Sequence, residues 1–191
     1  DSRELKDAFK ELESRAAALE SKRPLLTDKI SQLEFLTLIG ELEMLYRLGH
    51  RVASFAELTF SGDTQNQAAL GLMARTEQLL SEIQNRTLFF SLWWKDLAED
   101  VAAPLMANAG DYSYWLEEMR HYKPHTLTEA EEKIINTKNV TGVSAFNTLY
   151  DSLTNRYVFK VEVNGELKEL TRGELMSLVR SNDPDLRARA Y

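Results

Sequence analysis

The sequence contains no cysteine and only three histidines, His50, His121 and His125. Without cysteine there is no disulfide framework, thiolate zinc site, iron–sulfur cluster or cysteine nucleophile. Three imidazoles are a thin supply for a self-contained catalytic or metal centre. The eight glycines are widely scattered and form neither a G-x-G-x-x-G nor a P-loop, which removes nucleotide binding of those types. Basic charge is also short. Lys+Arg number 23 against 30 Asp+Glu, a net charge of -7, whereas a nucleic-acid partner requires a basic footprint. No apolar run approaches the ~20 residues of a membrane helix. The most hydrophobic stretch, residues 33–48, is broken by Glu34, Glu41, Glu43 and Arg47. The opening residues lack the basic start and apolar core of a signal peptide. Neither nucleic acid nor membrane is expected as a partner, and the cytoplasm is the expected location. Two sequons, at Asn85 and Asn139, therefore stand without a secretory context.

What is present is enough for a globular protein. The chain has 191 residues, room for one large domain or two small ones, and 43% hydrophobic residues exclude disorder by composition. Leu5, Ala8, Phe9, Leu12, Ala16 and Leu19 recur at helical steps and predict an amphipathic helix that Pro24 interrupts. Thr27 or Asp28 is expected to cap the next helix, whose stripe is read as Ile30, Leu33, Leu36, Ile39, Leu42, Leu45, Leu48, Val52 and Phe55. Phe35, Leu38 and Met44 fall off that stripe, so burial on more than one side is expected. Gly40 and Gly49, each costing about 1 kcal/mol of helix propensity, are read as close-packing points. Gly62 and Asp63 predict a break, as C-cap and N-cap. A third helix over residues 64–107 could exceed ~50 Å and must project, bend or lie across a second body, with Pro104 bending or ending it.

From Tyr112 the elements shorten. Lys123-Pro124 marks a turn, and Thr128 with Glu131 forms a capping box opening the next helix. Gly142 precedes another short helix. Tyr157, Phe159, Val161 and Val163 then alternate up to Asn164-Gly165, a strong hairpin signal that sets Phe159 opposite Leu170. Thr171 and Glu174 form a second capping box, with Leu170 and Leu175 as its staple, and Asp183-Pro184 begins the last helix. The expected fold is mainly α: long antiparallel helices over residues 1–110, then a smaller helical lobe with one β-hairpin over residues 111–191. The missing initiator methionine and the helix beginning before Tyr191 make both ends read as cut.

Chemical motifs fail on spacing. A zinc-protease helix needs H-E-x-x-H, two imidazoles on one face with a glutamate base between them. His121 and His125 have the separation, but Tyr122 holds the glutamate position and Pro124 bars a continuous helix. Glu118-Met-Arg-His121 is one Glu-x-x-His of a di-iron bundle, yet Arg47 and Tyr122 precede the other histidines where glutamates are needed. No G-x-S-x-G elbow exists. The aromatic cluster Phe89, Phe90, Trp93 and Trp94 reads as packing, with Tyr112, Tyr114 and Trp115 close enough to join it. The acidic run 129–132 complements a helix N-terminus and needs no partner.

Several of these features, in order, carry a resemblance. The Lys123-Pro124-His125-Thr126-Leu127 turn, the acidic helix at 129–133, Thr141-Gly142 and the helix over 146–153 come first. The hairpin and Asp183-Pro184 follow. Residues 112–191 resemble the N-terminal domain of the oligoendopeptidase F family, and the preceding helices are similar to the region before it. The resemblance implies a zinc metallopeptidase of the thimet oligopeptidase type, a mostly helical clamshell that cleaves short peptides. In that family H-E-x-x-H and a further glutamate ligand lie in the C-terminal half. No catalytic, cofactor-binding or metal residue carries over to this chain, and zinc is expected in a missing C-terminal catalytic domain. The implied partners are that domain and short peptide substrates, with this chain as a non-catalytic wall of the chamber. The alternative is a stand-alone helical interaction module.

Overall fold

A computed structural model describes residues 2–163 and 165–190. Helix α1, Arg3–Ser21, starts where the Ser2 hydroxyl accepts from the Leu5 amide. It ends before a 3₁₀ turn, Arg23–Leu25, that holds Pro24. Helix α2 spans Gln32–Gly62 and α3 spans Gln67–Asp96. Phe35 stacks on Trp94 while Gly49 lies against Leu80, so rising numbers on α2 meet falling numbers on α3. Gly49 also meets Leu12 of α1, and Lys22 pairs with Glu41. Both α1 and α3 thus run antiparallel to α2, and the core closes among the three.

Several sequence expectations shift here for physical reasons. The cap of α2 is Ser31, not Thr27 or Asp28. Ser31 and Glu34 satisfy each other's backbone amides in a capping box, while the Thr27 hydroxyl accepts from the Lys29 amide in the loop. The buried series of α2 is Phe35, Leu38, Ile39, Leu42, Leu45, Gly49, Val52, Ala56 and Phe60. Those steps of three and four keep one face inward. The steps of three read from Ile30 to Leu48, relieved by a single step of four to Val52, drift around the helix, and Leu33 and Phe55 end in solvent. One stripe is buried rather than several sides. Gly49 is a close-packing point, since a Cβ there would sit 3.3 Å from Leu80 Cδ2, whereas Gly40 has nothing within 4 Å. The break at Gly62 is present, but Asp63 makes a local turn to Gln65 and Asn66 caps α3 through Ala68 and Ala69.

The third helix does not reach residue 107. It stops at Asp96, and Leu97 and Ala98 are extended before α4, Glu99–Ala107. Pro104 sits inside α4 and is not the break point. The chain turns at 97–98 because Leu97 is buried and Arg120 supplies the donors that the interrupted helix lacks. Helix α5, Ser113–His121, returns across this junction. A further 3₁₀ turn, Lys123–His125, then leads to α6, Glu129–Asn139, through the Thr128–Glu131 capping box. Gly142 does not separate two helices. It lies in a π-helical stretch, Val140–Ser144, that runs directly into α7, Ala145–Thr154.

Strands β1, Val158–Val163, and β2, Glu166–Thr171, pair antiparallel with Phe159 opposite Leu170. Gly165 has φ +81°, and Asn164 lies outside the described residues. Thr171 and Glu174 cap α8, Arg172–Leu178, and Asp183 accepts from Asp185 and Leu186 at the start of α9, Pro184–Ala190. The architecture is mainly α with one hairpin. Its core lies in α1–α5, because α6, α8 and α9 bury no residue fully and α7 buries only Thr154.

Candidate functional site

The aromatic cluster is a packing hub with an unexpected centre. Phe35 of α2, absent from the sequence-level cluster, stacks on Trp94 at 5.0 Å and approaches Phe90 and Trp93 at 6.3 and 6.2 Å. Trp115 stacks on Phe90 at 6.4 Å and 7°. Tyr114 does not join; it is 72% exposed. Tyr112 turns its hydroxyl to the Glu43 carboxylate at 2.6 Å, and that hydrogen bond raises the phenol above its ordinary value. Trp94 Nε1 donates to the Leu116 carbonyl at 2.9 Å, so the most buried ring has its polar atom satisfied.

The histidines are placed without convergence. All three are exposed; His121 has Nδ1 3.4 Å from Glu118, and His125 lies in the 3₁₀ turn. Among the described residues no group of three or more His, Asp or Glu side chains could hold a metal ion. This donor set does not fit a zinc site of the H-E-x-x-H kind. The sequon residue Asn85 is equally committed. Its amide donates to Lys133 O and Thr137 Oγ1 and accepts from Asn136 Nδ2, tying α3 to α6.

Two grooves flank α3. The first, about 530 Å³, lies beside the hub and is lined by Arg23, Phe89, Trp93, Lys95 and Glu129 among others. Its charges are already paired. Arg23 donates two hydrogen bonds to the Glu129 carboxylate at 3.1 and 2.7 Å and sits 5.6 Å above the Phe89 ring. Lys133 adds a third, and the carboxyl of Glu129 is lowered to about 2, by Arg23 first and then Lys133. The acidic run therefore does have a partner. Arg23 precedes Glu129 by 106 residues, and no local pattern announces such a pair. Lys95 donates to Thr126, and Lys123 lies 3.2 Å from Asp96.

The second groove, about 900 Å³, opens between α3 and α7. At one end Ser81 and Asn85 hold α6. At the other, Gln65 Nε2 donates to Ser152 O at 3.2 Å and Arg156 Nε donates to Gln65 Oε1 at 2.7 Å. Leu70, Met73 and Leu149 give it an apolar wall, with Glu77 half-buried among them. Apart from Asn85 in its sequon, none of these residues belongs to a local motif, and each alone reads as ordinary helix surface.

Among the described residues, no helix is long and apolar enough to cross a membrane. The family model for Oligopeptidase F matches residues 93–159, from the last turn of α3 into β1. The Oligopeptidase PepF of Bacillus subtilis (strain 168) is 24% identical over 155 residues, which cover 78% of this chain and 23% of that protein. The crystal structure of oligoendopeptidase-F from Enterococcus faecium has the same fold over 100% of this chain and 38% of its own. The TM-score is 0.78 at 21% identity. The chain thus spans about a quarter of the length of the curated relative. In sequence over residues 93–159 and in fold over its whole length, the chain is similar to oligoendopeptidase F proteins.

Proposed function

We propose that this chain is the non-catalytic N-terminal part of a zinc metalloendopeptidase that cleaves short peptides in the cytoplasm, and that it forms one wall of the substrate chamber. The observation that carries this reading is the Oligopeptidase F match over residues 93–159, which falls on the α3–α7 framework. In this reading residues 1–110 support a family-type domain at 111–191.

The distribution of apolar surface supports a large partner. Phe146, Leu149, Tyr150 and Leu153 recur at three- and four-residue steps on α7, and all four are exposed. Tyr157, Val158 and Leu167 of the hairpin region are exposed as well, Leu167 by 69%. Exposed apolar groups at this density mark an interaction surface more often than free surface. A C-terminal catalytic part of the same polypeptide is the partner we assign to it. The histidine spacing here does not fit a zinc site, so the metal and its glutamate base belong to that part.

The test is the coding sequence after Tyr191 together with two assays. The purified chain is expected to bind no stoichiometric zinc and cleave no quenched peptide, while the longer protein does both. Cleavage by this chain alone would overturn the non-catalytic assignment. A stop codon directly after Tyr191 would instead favour a stand-alone interaction module, which the same apolar face also suits.

A further inference from the structure

The groove between α3 and α7 lies apart from the aromatic hub and shares Leu149 with the exposed stripe on α7. Its volume, about 900 Å³, is in the range of pockets that admit several side chains. Leu70, Met73 and Leu149 make its wall apolar, while Gln67, Thr148 and Ser152 place polar side chains along its rim. Its charged lining is mostly acidic, with Arg156 the one basic side chain among the described lining residues. Glu77 and Glu82 line it, and Glu77 also lines an adjoining pocket together with Glu57 and Asp151. Arg156, at the far end, is engaged by Gln65. Among the described residues no ion pair reaches Glu77, and burial alone pushes its carboxyl upward. A half-buried carboxylate next to apolar side chains, with only carboxylates beside it in the neighbouring pocket, attracts a cation strongly.

One wall can also adjust. Helix α7 follows the π-helical Val140–Ser144, and Gly142 in that stretch has nothing within 4 Å of the position a Cβ would take. A π segment beside a groove is a common site of functional backbone adjustment. The opposite end of α7 is held by the Gln65 hydrogen bonds to Ser152 and Arg156, which can break and re-form without disturbing the core.

We propose that this groove docks a separate peptide bearing an apolar side chain next to a basic one, the first against Leu70, Met73 and Leu149 and the second against Glu77. The rim amides and hydroxyls then serve the peptide backbone. The inference does not rest on the peptidase reading, which the coding sequence decides separately.

Calorimetric titration of the purified chain with Ac-Leu-Phe-Lys-NH2 and its norleucine analogue tests it. The lysine peptide is expected to bind roughly five-fold tighter than the uncharged one, with the preference shrinking as salt rises from about 0.05 to about 0.5 M. Glu77→Gln is expected to remove the preference and leave the weaker apolar binding. Ala74→Trp, at an exposed position lining the groove, is expected to abolish both without lowering the urea midpoint. Equal affinity for the two peptides, no binding to the wild-type chain, or binding that survives Ala74→Trp overturns the proposal. So does loss of binding in the longer protein, since that means the groove is filled by the same polypeptide.

Discussion

Arg120 and Trp94 hold each other from two directions. The Arg120 guanidinium donates to the Trp94 carbonyl at 2.6 Å and lies 5.5 Å from the centre of the Trp94 ring. It also donates to the Leu97 carbonyl at 2.8 Å and to Glu99 at 2.9 Å. Three acceptors at the end of α3 and start of α4 thus converge on one side chain that is 15% exposed. Without those donors the last carbonyls of α3 would be buried and unsatisfied, so the arginine is what permits the helix to stop there.

Arg120→Met is expected to lower stability by about 2–3 kcal/mol, because it removes charge-assisted hydrogen bonds and leaves their carbonyl partners orphaned. Arg120→Lys should recover less than half of that loss. A single ammonium cannot span acceptors that the planar fork reaches together. Urea midpoints with an unchanged slope check both.

Trp94→Phe keeps an aromatic ring against Phe35 but removes the buried hydrogen bond from Trp94 Nε1 to the Leu116 carbonyl. The expected loss is about 1–3 kcal/mol. Phe35→Ala, at the centre of the hub, should cost roughly 3–5 kcal/mol through the cavity it opens. If the ranking reverses, the hydrogen bond outweighs the packing.

Glu129 links pH to stability. Its carboxyl moves from the ordinary 4.5 to about 2 on folding, so the stabilisation is fully present above the ordinary value. As pH falls from 4.5 toward 2 the stabilisation is lost. Solvent screening of this half-exposed group keeps the contribution near about 1 kcal/mol. Glu129→Gln is expected to flatten that part of the stability–pH profile, read by thermal melts from pH 6 downward.

Gly40 and Gly49 should respond in opposite senses. Gly40→Ala meets open space and is expected to stabilise α2 by about 0.5–1 kcal/mol. Gly49→Val would push against Leu80 and Leu12, with an expected loss of about 1–3 kcal/mol. Paired chemical denaturation curves separate them.

Gly165 has φ +81°, where a side chain with a Cβ is strained. Gly165→Val is expected to destabilise the hairpin by about 1 kcal/mol or more. Faster hydrogen exchange at the Phe159 and Leu170 amides, with the α1–α3 core unchanged, is the readout.

The elements themselves were legible because their signals are local. Pro24, the Thr128–Glu131 and Thr171–Glu174 boxes, Asp183-Pro184 and the Phe159–Leu170 register each depend on a few adjacent residues, and the structure keeps every one of them. The resemblance to oligoendopeptidase F rested on the same short features. What the linear pattern could not supply was partnership at a distance. Phe35 becomes the hub because α2 and α3 run antiparallel. Glu129 acquires Arg23 because the turn after α1 reaches α6, and α3 ends at Asp96 because Arg120 arrives from α5. Hydrophobic spacing says that a face is buried, but not against what. That choice is made by three-dimensional packing, where side chains a hundred residues apart compete for the same contacts and the same orphan carbonyls. The scarcity of histidine and the absence of cysteine were plain from the sequence. Only the tertiary structure decided that the histidines stay apart and exposed, because α2, α5 and the turn after α5 carry them to separate surfaces.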